Sequence, residues 1–359
     1  MKITEIPCEG YEKVARCEDP KSGLKAIISI HDTTLGPALG GLRMWPYLSE
    51  QEALTDVNRL SQGMTYKSAV ADTGLGGGKA VIIGNPKTDK SEALFRAMGR
   101  FVESLGGLYT TAEDVGTNVQ DMVTVRKETK HVTGLPREMN SSGDPSPFTA
   151  IGVFLGIKAC IEKTGGKDLN GVRVGIQGCG NVARYLCEHL SKAGAKLFVT
   201  DIVAEKAQLM VDKHGATYVP PEKIYDLDCD VFAPCALGAV INDDTIPRLR
   251  CKIVAGAANN VLLTEGHGDR LRERGMIYAP DFVINAGGII NVSVELEPQG
   301  YNEQRAVQKV NNIYNAVRDI LQTADRENIA SNRAAILFAE RKLEEGRKRK
   351  GSKKAAKTR

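Results

Sequence analysis

Lys79 follows three consecutive glycines and opens an apolar run in Gly74-Leu75-Gly76-Gly77-Gly78-Lys79-Ala80-Val81. An ammonium flanked by glycine backbone and apolar side chains is poorly hydrated, which favours the neutral amine. Such a lysine can exchange protons near neutral pH. The segment lacks the G-x-x-x-x-G-K-[ST] order of a nucleoside-triphosphate loop, so as a phosphate site it is only suggestive. Two more segments add to it: Gly63-Met64-Thr65-Tyr66-Lys67, and Thr111-Ala112-Glu113-Asp114-Val115-Gly116 after an apolar strand. A cationic Lys67 can hold a substrate carboxylate and depress a neighbouring lysine. Taken singly, each of these is a surface charge or a cap.

The second constellation is Gly178-Cys179-Gly180-Asn181-Val182-Ala183, a G-x-G-x-x-A directly after the apolar run VRVGIQ and directly before a helical pattern. The first glycine permits a tight turn, the second admits a pyrophosphate against the backbone, and the small third residue lets helix and strand pack closely. The helix N-terminus then offers unpaired N–H groups to the phosphates. Asp201 ends the next apolar strand, KLFVTD, where a carboxylate accepts both ribose hydroxyls and repels a 2′-phosphate. These features predict a dinucleotide site with NAD favoured over NADP. The alternative for Asp201 is a cap on the helix that begins near Val203.

The elements that must position these residues fall into two patterns. Before residue 136, short β-like runs (25–30, 80–83, 108–111) mix with amphipathic helices. Ser49-x-x-Glu52 is a capping box before Ala53, Leu54, Val57 and Leu60, predicting a helix to about Gly63. Another begins near Ser91 and stops at Gly106-Gly107. Residues 136–147, PREMNSSGDPSP, have loop composition and mark the domain boundary. A helix over 149–163 then leads into strand 172–177, helix 181–193, strand 196–200, helix 203–214 and strands 230–233, 252–255 and 276–279. That alternation predicts a parallel, doubly wound Rossmann sheet. Two helical stretches follow Gly300, the last expected to return to the first domain. The expected division is a substrate domain over 1–135, an NAD domain over 148–325, a returning helix over 326–346 and a basic disordered tail over 347–359.

Composition bounds the rest. A chain of 359 residues with 42% hydrophobic and 26% charged residues is ordinary globular material for about two domains. No apolar run approaches a membrane span, and the start MKITEIPCEGYEK has no secretory core, so a soluble cytoplasmic protein is expected. The eight cysteines and five histidines show no metal-ligand spacing, and no metal is expected. Residues 347–359 carry eight Lys/Arg and no acid, so a whole-chain charge of +4 hides a mildly acidic body. The tail reads as a solvated terminus. It has no aromatic residue for base stacking, which argues against nucleic acid as a partner.

Nine segments in uninterrupted order carry a resemblance: ALGGLRMWPYLSE, GMTYKSA, GLGGGKAV, TAEDVGT, SSGDPSPFTAIGV, GCGNVA, APCALGAVIN, AGAANNVL and YAPDFVINAGGIINV. Over about residues 10–345 the chain resembles the amino-acid dehydrogenase superfamily of glutamate, leucine, phenylalanine and valine dehydrogenases. The basic tail alone departs from that pattern. The resemblance implies an α/β protein of two domains around a cleft, an N-terminal mixed α/β substrate domain and a doubly wound NAD domain. It also implies domain rotation that closes the cleft, and a homo-oligomer, commonly an octamer.

By the same resemblance Lys79 matches the catalytic lysine, Asp114 the carboxylate that shuttles protons with it, and Lys67 the partner of the substrate α-carboxylate. Gly40 and Gly41 match a turn lining the substrate cleft, with Met64 nearby; Thr149 and Asn260 match residues facing the nicotinamide, Asn260 also lying at the substrate. Leu39, Ala112, Ile289 and Val292 match side-chain pocket positions. In glutamate-specific relatives the positions of Leu39 and Val292 hold a lysine and a serine that read the distal carboxylate. The implied reaction is reversible oxidative deamination of leucine, valine or isoleucine to a 2-oxo acid and ammonia. The alternative is a phenylalanine or valine dehydrogenase, and a remote one is a non-catalytic NAD-binding regulator tethered to nucleic acid.

Overall fold

The computed structural model describes residues 1–139 and 141–357, without the side chains of 353–357. The chain forms two compact units: Met1–Asp144 with Val292–Asn302 and Ala339–Arg359, and Pro145–Asn291 with Glu303–Phe338.

In the first unit the elements are β1 (Lys2–Glu5), β2 (Lys13–Asp19), β3 (Leu24–Asp32), β4 (Ala38–Trp45), α1 (Glu50–Val70), β5 (Gly76–Ile83), α2 (Glu92–Glu103), β6 (Tyr109–Glu113) and α3 (Val119–Arg126). The strands form one mixed sheet in the order β1-β2-β3-β5-β4-β6, antiparallel as far as β5 and parallel from β5 to β6. Period-two alternation divides each strand between two faces. Leu42, Met44, Ala80, Ile82 and Tyr109 pack with Leu94, Met98 and Phe101 of α2 and with Met122 and Val125 of α3. On the opposite face Ile27 and Val81 pack against Ala53 and Val57 of α1.

Helix α1 covers β3 and β5 on that face. Ser49 caps it, its Oγ accepting from the Glu52 N–H at 3.1 Å. The helix does not stop at Gly63 as the glycine suggested; it runs on to Val70, so Met64 and Lys67 are helical. An interior glycine costs about 1 kcal/mol in a helix. Burial of Thr65, Ser68, Ala69 and Val70 beyond it outweighs that cost.

The second unit begins with α4 (Ser146–Lys163) and continues through β7 (Arg173–Gln177), α5 (Asn181–Lys192), β8 (Lys196–Thr200), α6 (Ala204–His214), β9 (Thr217–Tyr218), β10 (Val231–Pro234), β11 (Ile253–Val254), α7 (Gly266–Glu273) and β12 (Ile277–Tyr278). After these come α8 (Asp281–Ile284), α9 (Gly287–Ser293), α10 (Glu303–Asn311), α11 (Ile313–Glu327) and α12 (Ser331–Lys357). All six strands are parallel, in the order β12-β11-β10-β7-β8-β9. The order reverses direction between β7 and β10, the switch point at which such sheets bind ligands beyond their strand ends. The α/β class with two sheets is as the sequence indicates. Two-residue, exposed β9 escaped the sequence pattern.

The last helix also departs from expectation. Residues up to Phe338 belong to the second unit and only those from Ala339 to the first, while Val292–Asn302 also joins the first. The basic stretch is not a loose tail from residue 347, for α12 continues through it to Lys357. Glu344–Lys348 and Glu345–Arg349 pair at i,i+4 spacing along the helix. Arg347 pairs with Asp32 at 2.9 Å, and Lys350 donates to the Thr33 carbonyl at 2.7 Å. Thr358 and Arg359, which complete the predicted tail, lie outside the described residues.

Candidate active site

Lys79 and Asp114 meet in the first unit. Lys79 stands on β5 opposite Ser29 of β3, and its Nζ lies 3.0 Å from Asp114 Oδ1, just past the end of β6. The lysine is 5% exposed. Burial pushes its ammonium below the ordinary lysine value, with Asp114 opposing that shift. Burial alone would raise Asp114, but Lys79 and Arg43 outweigh it and hold the carboxyl below its usual range. The pair therefore sets an ammonium that gives up its proton unusually easily beside a carboxylate that stays ionised.

Glycines make room for this pair, though not as the expected turn. Gly40 and Gly41 lie inside β4, and Gly76, Gly77 and Gly78 already belong to β5. A Cβ on Gly40 would lie 1.7 Å from the Gly78 carbonyl oxygen, and one on Gly77 would lie 2.1 Å from the Thr65 nitrogen of α1. The glycines thus let β4, β5 and α1 approach backbone to backbone. Tyr109 Oη closes the layer from the other face, donating to the Gly40 carbonyl at 2.5 Å.

Around the pair, Leu39 is buried between Gly77 of β5 and Thr110 of β6, and half-buried Ala112 is registered against Gly41. Met64 and Lys67 are half-buried on the last turns of α1. Val292, half-buried on α9, is counted with the same unit, and Ile289, on the same helix, with the other. Arg43, absent from the sequence-based candidates, has its Nε 3.1 Å from Asp114 Oδ2 and its Nη1 2.9 Å from Asp56 Oδ2. Its signal was available: Leu39, Gly41 and Arg43 recur at strand spacing, so once ALGGLRMW is read as a strand, Arg43 shares a face with the glycine.

In the second unit, Gly178 follows β7 with φ +98°, a conformation open to glycine, and a Cβ there would lie 2.6 Å from the Cβ of Ala236 beyond β10. Gly180 is different: it is exposed, and nothing lies within 4 Å of where its Cβ would stand. Gly180 caps α5 without a side-chain hydrogen bond, and the next residue, Asn181, is exposed. Val182 is half-buried and Ala183 buried. Open space before an uncapped helix N-terminus fits a pyrophosphate. Cys179 turns its thiol inward, where burial and Asp201 push it up to about 12.

Asp201 is held by two backbone N–H groups. Its Oδ2 accepts from the Cys179 N–H at 2.7 Å, tying it to the glycine turn, and its Oδ1 accepts from the Val203 N–H at 2.8 Å at the start of α6. Each oxygen retains lone-pair capacity for a ribose hydroxyl. Thr149 lies in the first turn of α4 beside Gly288, whose Cβ would stand 2.9 Å from its Oγ1. Asn260 is exposed beyond β11 with φ 51°, its carbonyl accepting from the Ala239 N–H at 2.7 Å. Among the described residues, no group of three His, Cys, Asp or Glu could hold a metal ion, and no helix is long and apolar enough to cross a membrane.

A parallel sheet with a glycine turn at its switch point, in one chain with a buried lysine paired to a half-buried aspartate, defines a two-unit α/β dehydrogenase. The chain belongs to the Glu/Leu/Phe/Val dehydrogenase family: the model of its dimerisation domain matches residues 11–131, and that of glutamate/leucine/phenylalanine/valine dehydrogenase matches 141–201 and 198–351. The chain is similar to the leucine dehydrogenase of Thermoactinomyces intermedius, 56% identical over 339 residues that cover 94% of this chain and 92% of that one. It is 49% identical to the phenylalanine dehydrogenase of Bacillus thermotolerans over 93% of this chain and 88% of the relative. The crystal structure of L-tryptophan dehydrogenase from Nostoc punctiforme matches with a TM-score of 0.86 at 46% identity, over 94% of this chain and 97% of that one.

Proposed function

We propose that the protein catalyses the reversible oxidative deamination of L-leucine, L-valine and L-isoleucine to their 2-oxo acids and ammonia, with NAD as hydride acceptor. The observation that carries this reading is buried Lys79 paired with half-buried Asp114 at 3.0 Å, with Leu39 buried on the adjoining strand. Leucine dehydrogenases 53–56% identical to the chain support the substrate class. The Gly178–Ala183 turn would hold the pyrophosphate and Asp201 the adenosine ribose, with Thr149 and Asn260 toward the nicotinamide. Bound there, NAD supplies the acceptor for the hydride leaving the substrate Cα.

The chain's own residues do the rest. Lys67 binds the substrate α-carboxylate and so orients the Cα–H bond. Loss of hydride leaves an iminium carbon. Neutral Lys79 takes a proton from the water that attacks that carbon, and Asp114 receives the proton and returns it to the departing nitrogen. Collapse of the carbinolamine, its hydroxyl proton passing to the again neutral Lys79, forms the carbonyl as the C–N bond breaks and releases ammonia and the 2-oxo acid.

Leu39, Met64, Ala112 and Val292 line the side-chain pocket in this reading. An unpaired glutamate carboxylate in such a pocket would cost several kcal/mol, whereas each methylene of an aliphatic chain gains about 0.8 kcal/mol. The match of residues 11–131 to a dimerisation domain supports a homo-oligomer, and an octamer is the form the reading adopts. The cytoplasm is its expected compartment. A phenylalanine dehydrogenase 49% identical to the chain makes aromatic substrates the second reading. Steady-state NADH formation over a panel of L-amino acids tests the assignment: leucine, valine and isoleucine should be turned over well and glutamate very poorly.

A further inference from the structure

Only one oxygen of Asp114 faces Lys79. The other, Oδ2, accepts from Arg43 Nε at 3.1 Å, and Arg43 reaches on with Nη1 to Asp56 Oδ2 at 2.9 Å. Tyr47 donates its hydroxyl to that Asp56 oxygen at 2.7 Å, and Arg59 pairs with the other at 3.1 Å. The charges alternate along Lys79, Asp114, Arg43, Asp56 and Arg59. A cavity of about 680 Å³ lined by Arg43, Tyr47, Asp56 and Arg59 opens at the far end, so water reaches that end while Lys79 stays buried.

We propose that Arg43 and Asp56 are positioning residues that act through Asp114 on the proton held by Lys79. The proposal rests on the deamination reading, in which Lys79 works as the neutral amine. A carboxylate held at one oxygen turns readily about its last torsion, whereas one gripped at both keeps Oδ1 on Lys79. Arg43 supplies the second grip, and Asp56 with Tyr47 fixes Arg43.

The network also sets charge. Facing Lys79, Asp114 at the end of β6 favours the ammonium, Arg43 from β4 disfavours it and Asp56 from α1 favours it more weakly. His31 on β3 and Lys67 on α1 are further titratable groups on elements beside β5. Removing Arg43 therefore makes Lys79 harder to deprotonate, and neutralising Asp56 makes it easier.

The experiment uses the full-length protein as wild type, Arg43→Met, Arg43→Lys and Asp56→Asn. Acetic anhydride labelling of Lys79 across a pH series, read by peptide mass spectrometry, gives its titration midpoint without reference to activity. The pH profile of kcat/KM for L-leucine is measured in parallel. Arg43→Met should raise the labelling midpoint and the acidic limb of the profile by roughly 0.5–1 pH unit, and Asp56→Asn should lower both. Arg43→Lys should restore most of the shift, and kcat of Arg43→Met should fall about tenfold with KM for NAD unchanged. Unmoved midpoints in both variants, with activity reduced equally at every pH, would overturn the proposal and leave the deamination reading standing. A wild type that does not oxidise leucine would overturn that reading instead, while the labelling midpoints still decide whether Arg43 and Asp56 act on Lys79.

Discussion

A Cβ on Gly41 would lie 2.7 Å from the Cβ of Asp114. Strand β4 therefore carries no side chain at the point where Asp114, just past β6, leans toward Lys79. The Gly41→Ala variant should push Asp114 away from the lysine and lower kcat by about 10²-fold, the scale on which small misplacements act. Circular dichroism should show a folded protein. Full activity in that variant would mean that the site does not depend on the close approach.

Lys79→Ala removes the group proposed to transfer the proton. Because acid–base groups contribute at least about 10²-fold, kcat should fall by that much or more. NADH binding, followed by fluorescence, should stay near the wild-type level, since Lys79 and the Gly178–Ala183 turn belong to different units. In the wild type, kcat/KM for leucine should rise with pH as Lys79 loses its proton, with a midpoint below the ordinary lysine value because burial depresses it. Wild-type turnover by Lys79→Ala would remove the mechanism.

Unit two was the more legible half of the sequence. Each of its longer strands is buried on both faces, so each reads as an apolar run, and the G-x-G-x-x-A between a strand and a helix has few other uses. In unit one the signals were weaker. Gly40-Gly41 and Gly76-Gly77-Gly78 resemble turns, because nothing local reveals that neighbouring backbones press against them. Gly63 resembles a helix stop, because the burial that carries α1 past it is tertiary. Lys79 and Asp114 were found by their setting and the family resemblance. Arg43 was not, because its role depends on partners 13 and 71 positions away.

In the proposed function, cofactor choice rests on Asp201. Asp201→Ser removes the carboxylate that would repel a 2′-phosphate, so kcat/KM with NADP should rise and that with NAD should fall. Loss of the acceptor for the Cys179 N–H should add a modest general loss with both cofactors. A wild type that used NADP as readily as NAD would reduce Asp201 to its role in holding the turn.

Removal of residues after Gly346 deletes the Arg347–Asp32 pair and the Lys350–Thr33 contact. The Arg347 side chain is 60% exposed, so the pair contributes no more than about 1 kcal/mol. The midpoint of thermal unfolding should fall by about 1–4 °C with deamination kinetics unchanged. Burial would raise Asp32, but hydrogen bonds from Thr34 and Arg347 outweigh it and hold its carboxyl below the usual range. The pair's stabilisation is thus complete above the unfolded aspartate value and fades as pH falls through the depressed one. Wild type and truncation should therefore differ at neutral pH and converge in acid. Loss of activity on truncation would give the helix end a catalytic part.

The pocket proposed beside Lys79 takes an aliphatic side chain, and kcat/KM for L-leucine, L-phenylalanine and L-glutamate with NAD in one buffer is the measurement that decides it. Leucine should lead phenylalanine, and glutamate should trail by about 10³-fold or more, the cost of several kcal/mol for an unpaired carboxylate. Glutamate equal to leucine would contradict the apolar pocket, and phenylalanine far ahead of leucine would contradict the branched-chain assignment.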